Sequence, residues 1–149
     1  MNILTRFRAT TLIRASALLS VLAGLLYLLS AFQLSLQINL GPEMEEGKVA
    51  AHTWATYALI GGVALLAGSY LIQLSQSPLT RRIMLSIALI GITVLIVGQL
   101  PPLFYWFLFS ITAFSWSNAL GFALHAGLIS FGFWGMLAIF YTLERHDRT

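Results

Sequence analysis

The chain has no cysteine. That excludes disulfides, iron–sulfur clusters held by its own residues, thiolate-ligated haem and the covalent attachment of c-type haem. Charge is almost as scarce. Asp, Glu, Lys and Arg make up 9% of the 149 residues, against about a quarter in ordinary soluble domains. None of the four occurs between Ala15 and Pro42, between Val49 and Thr80, or between Ile83 and Leu143. With no carboxylate inside these stretches, a bare zinc or non-haem iron ion lacks the oxygen ligands it needs to complete its shell.

What remains is apolar: 58% of residues are hydrophobic and the mean hydropathy is +0.86. The expected fold class is an all-α membrane protein. A spanning helix needs roughly 20 apolar residues, and the last uncharged stretch is long enough for two. Four transmembrane helices are expected near 15–37, 49–74, 83–107 and 118–143, in one domain covering 1–149. The basic start and apolar core of the N-terminal segment resemble a signal peptide. With Met1 present, the segment is expected to be a first transmembrane helix.

Orientation follows from the arginines, because short basic segments stay cytoplasmic. Arg6, Arg8 and Arg14, then Arg81 and Arg82, then Arg145 and Arg148 fall on one side of a four-pass chain. N- and C-termini are therefore expected to be cytoplasmic. The opposite side carries Glu43, Glu45 and Glu46 with Lys48, in a loop opened by Gly41 and Pro42. The formal net charge of +3 thus reflects topology, and no basic patch points to nucleic acid.

Helix three contains "GQLPPLFYWFLFS". At 1.5 Å per residue Pro101 lies roughly 27 Å from Ile83, near the far edge of the hydrocarbon, where the helix is expected to kink or end. Phe104, Tyr105, Trp106, Phe107, Phe109, Phe114 and Trp116 then form an aromatic belt at the outer interface, with a ligand-binding aromatic box as the alternative. Small residues recur at Gly61, Gly62, Ala64, Ala67 and Gly68 in helix two and at Gly121, Gly127, Gly132 and Gly135 in helix four. Close helix packing explains them without a cofactor.

Three histidines remain. His146, in the polar tail "ERHDRT", reads as solvated. His125 lies well inside helix four, where a titratable side chain is costly and marks either function or a hydrogen bond to a neighbouring helix. His52 opens helix two near the interface. Helices two and four run in the same direction, which puts the two at depths of about 6 and 10 Å, level within one helical turn. Facing imidazoles at one depth in a bundle suit a bis-histidine centre, and haem b (heme) is the natural cofactor: two axial nitrogens to the iron, an apolar slot, no covalent link.

The residues also resemble a known family. "HTWATYALIGGVALLAGSYLIQ", from His52, looks like the second helix of the haem-copper oxidase main subunit, most closely the C-type (cbb-type) oxidases and their nitric oxide reductase relatives. "HAGLISFGFWGMLAIFYTLE", from His125, resembles the tenth helix of that subunit. The resemblance covers about half the chain. It implies that His52 and His125 are the axial ligands of a low-spin haem b in a prokaryotic inner (plasma) membrane. The family's second histidine on the tenth helix is replaced here by Ala123, and the copper-binding helices have no counterpart. The implied protein is a non-catalytic electron-transfer (cytochrome) subunit of a larger respiratory complex, associated with other membrane redox subunits, its quinone or cytochrome c partner open. The alternative is a haem-free structural or assembly subunit in which both histidines bond between helices.

Overall fold

The computed structural model describes residues 3–35 and 42–147, with side chains described over 9–32 and 45–144. Residues 36–41 and the side chains of Arg6, Arg8, Glu43, Arg145, His146 and Arg148 lie outside the described residues. The described chain is all helical: α1 (Ile3–Ser35), α2 (Pro42–Leu74), α3 (Pro78–Thr112) and α4 (Trp116–Asp147). Each contains a stretch long and apolar enough to cross a membrane.

The helices form an antiparallel ring. α1 packs against α2 and α4, and α3 closes the ring against both, leaving α2 and α4 on a diagonal. Buried positions advance by alternating steps of three and four. On α3 they are Leu85, Ala88, Ile92, Leu95, Gln99 and Pro102; on α4 they are Gly121, His125, Leu128, Gly132, Gly135 and Ile139. This period of 3.5 keeps one seam of each helix on the bundle axis.

The seams hold few large side chains. α2 buries Ala51, Ala55, Ala58, Gly62 and Ser69, while Ile60, Val63 and Leu71 point outward. Small residues let backbones approach and leave serines to bond between helices. Ser20 Oγ donates to Ala58 O at 2.7 Å, and Ser16 Oγ to Leu128 O at 3.0 Å. Gly62 makes the closest approach, since a Cβ there would stand 2.9 Å from the backbone oxygen of Ala17.

Helix ends differ from the expected ones for a common reason: hydropathy marks what dissolves in lipid, whereas a helix continues as long as its backbone bonds do. α1 begins at Ile3 instead of near 15, and α2 at Pro42 instead of near 49. α3 starts where Pro78 takes the first helical turn after an extended Ser77, five residues before Ile83. It also neither ends nor stops short at Pro101. The helix runs through Pro101 and the buried Pro102 to Thr112, because packed neighbours stabilise a proline-containing span. The turn into α4 is held by side chains: Ser115 Oγ accepts the Asn118 N–H at 3.2 Å, and Asn118 Nδ2 donates to Ala113 O at 2.7 Å.

At the opposite end Arg14 does more than flank a span. Its Nε donates to Ser69 Oγ at 3.1 Å, its Nη2 to Gln73 Oε1, and its guanidinium lies 3.8 Å over the Tyr70 ring. It clamps α1 to α2 at the end of the bundle where the α2–α3 link lies.

Candidate functional site

His125 is 1% exposed and sits on the α4 seam. Gly121, one turn earlier, leaves room for Trp106 of α3, whose Cδ2 would stand 2.6 Å from a Cβ at that position. The indole Nε1 donates to Tyr27 Oη at 2.9 Å, and Tyr27 Oη bonds His125 Nε2 at 2.8 Å. With Trp106 able only to donate, the arrangement that uses the Tyr27 hydroxyl proton is donation to His125 Nε2. The imidazole proton is then on Nδ1, which has no partner among the described residues. Trp54 of α2 packs edge-on against Tyr27 with ring centroids 5.4 Å apart. Three helices thus enclose the histidine of the fourth.

His52 shares this level and not this face. Trp54 turns toward Tyr27, and two residues along an α-helix are about 200° apart, so His52 points away from the interior. It is exposed, and it lines a groove between α2 and α3 on the outside of the bundle.

That groove has a volume of about 1010 Å³. It exists because α2 and α3 present their small residues to each other's flank without filling the space. Gly61, Ala64 and Gly68 line one wall, Ala88 and Gly91 the other. A Cβ at Gly68 would meet nothing within 4 Å. Nearer one end Tyr57 crosses between the walls, its hydroxyl donating to Val94 O. Gly98 allows this, since a Cβ there would overlap the Tyr57 ring. His52, Thr53, Thr56 and Tyr57 gather at that end, and hydrocarbon lines almost everything beyond.

The structure does not bring the two histidines face to face: His125 has Nε2 engaged by Tyr27 inside the bundle, and His52 opens into a groove that His125 does not line. Comparison with protein-family models, curated proteins and solved structures finds no match.

The small residues of α2, expected to pack helices, divide between two tasks. Gly62 meets α1, whereas Gly61, Ala64 and Gly68 face the groove. The aromatic belt divides likewise. Phe104, Phe107, Phe109, Phe114 and Trp116 are exposed, but Trp106 turns inward to Tyr27. Sequence reasoning missed Tyr27 and Tyr57. Each is a tyrosine inside an apolar run, and a buried phenol needs a partner; that signal was available. The groove left only a partial one: Gly61, Ala64 and Gly68 of one wall stand out as small residues, which the sequence assigns to helix packing.

Proposed function

We propose that the chain is a multi-pass membrane protein that binds a long apolar ligand, entering from the bilayer, in the α2/α3 groove. The observation that carries the proposal is the groove's polarity: hydrocarbon along its length, with four polar side chains collected at one end. Ligand sites combine an apolar lining with a few placed polar groups in this manner. The arginine distribution supports cytoplasmic termini, which puts the His52 end of the groove near the outer face and its Leu71 end near the inner one.

The bundle supplies a rigid wall for this task. Ser20, Ser16 and Arg14 tie α1 to its neighbours, and the Tyr27 cluster ties all four helices behind His52. Native mass spectrometry of the gently extracted chain tests the proposal. A bound lipid-sized mass is expected on the wild type and is lost in Gly68→Leu, which fills the groove from a position with open space around it. Retention of that mass by Gly68→Leu overturns the proposal. So does a second copy seated on the groove, revealed by efficient disulfide crosslinking of Gly68→Cys.

A further inference from the structure

The hydrogen-bonding capacity of the polar end narrows the ligand's chemistry, on the condition that the groove is a ligand site as proposed above. We infer that the occupant is a neutral long-chain alcohol whose hydroxyl donates a hydrogen bond at the His52 end.

Each hydroxyl there has already committed its single proton. Thr53 Oγ1 donates to Val49 O at 2.9 Å, Thr56 Oγ1 to His52 O at 2.9 Å, and Tyr57 Oη to Val94 O. What these three oxygens still offer is lone pairs. A neutral imidazole contributes one acceptor and one donor, so the end of the groove is rich in acceptors and His52 is its one donor. A head group that only accepts, such as an ester, ether or ketone, finds one partner. A hydroxyl finds several acceptors for its proton and the imidazole N–H for its oxygen.

Charge disfavours the other common lipid heads: no Lys, Arg, Asp or Glu is among the described residues that line the groove, and an unpaired charge inside it is costly.

Shape selects the tail. From His52 to Leu71 the groove rises about 28 Å at 1.5 Å per residue, close to the hydrocarbon thickness. The groove is elongated, with a volume of about 1010 Å³, a shape that an extended chain can follow.

The test titrates the purified full chain, in detergent, with a long-chain prenyl alcohol (geranylgeraniol) and with its methyl ether, which keeps the tail and the oxygen and loses the proton. The alcohol is expected to bind about tenfold more tightly, the value of one added hydrogen bond. The double variant Thr53→Val, Thr56→Val should shrink the preference to below about threefold by removing two acceptors. Gly68→Leu should block both ligands, and circular dichroism of each variant checks that the helices are intact. Equal binding of alcohol and ether by the wild type overturns the head-group inference and leaves the groove proposal standing. Binding of neither removes the groove proposal itself. Tighter binding of geranylgeranyl phosphate than of the alcohol also overturns the inference, since the head group it assigns is neutral.

Discussion

At the scale of single residues, the most consequential side chain is Tyr27. It accepts from Trp106 and donates to His125, so its hydroxyl satisfies two buried groups at once. Tyr27→Phe keeps the ring and strands both. The expected loss is about 1–3 kcal/mol, the cost of leaving buried polar groups unpaired, read as a lower midpoint in thermal unfolding of the detergent-solubilised chain. An unchanged midpoint would show that the cluster does not hold the bundle. The direction of the Tyr27 bond has its own readout. ¹⁵N resonances of His125 should report a neutral ring protonated at Nδ1, and protonation at Nε2 would reverse the assignment. Gln99 presents the contrasting case: it is fully buried, and neither amide atom has a partner among the described residues. Gln99→Leu is therefore expected to be neutral or stabilising, by up to about 2 kcal/mol. In the sequence, the uncharged run around His125 announces a costly side chain that must be bonded. It does not say to what, because Tyr27 is 98 positions away and hydrogen bonds across a bundle leave no local pattern. For His52 the residue count tells how far along α2 it lies and not which side it faces. Depth depends on counting residues, whereas facing depends on which side of α2 the other helices choose.

At the scale of elements, the two glycines at 62 and 68 separate packing from ligand space. A methyl group at Gly62 meets the Ala17 carbonyl oxygen at 2.9 Å, and a backbone atom cannot step aside as a side-chain tip can. Gly62→Ala should force α1 from α2 at a cost of about 1–3 kcal/mol. Gly68→Ala has open space and should leave stability unchanged or raise it by up to about 1 kcal/mol through helix propensity. Chemical unfolding of the two variants side by side checks the contrast, and equal effects would contradict this division of α2. The existence of four helices was legible from uncharged runs. Their facing was not, because Leu and Ile cover the outside and also share the seams with Ala, Gly and Ser, so hydrophobic periodicity carries little information. At Pro101, near the far edge of the hydrocarbon, the sequence predicts a kink or an end. The structure keeps the stretch helical, with Pro102 packed in the core.

At the scale of the whole molecule, the architecture is a rigid ring of four antiparallel helices with one unfilled flank. Arginines at the ends of the helices support cytoplasmic termini, and reporter fusions at each end should both give cytoplasmic signals. A signal of opposite sense at either end would invert or break the four-pass topology. The groove lies outside the bundle axis, so a ligand can reach it from lipid without disturbing the Tyr27 cluster. The measurement that bears most directly on the central claim is a cryo-EM density map of the chain in nanodiscs of native lipid. The expected result is one elongated, ordered density along α2 and α3, with its head within hydrogen-bonding distance of His52, Thr53, Thr56 or Tyr57. A groove filled by a protein helix, a flat macrocycle ligated by His52, or the same disordered lipid as the rest of the surface would contradict it.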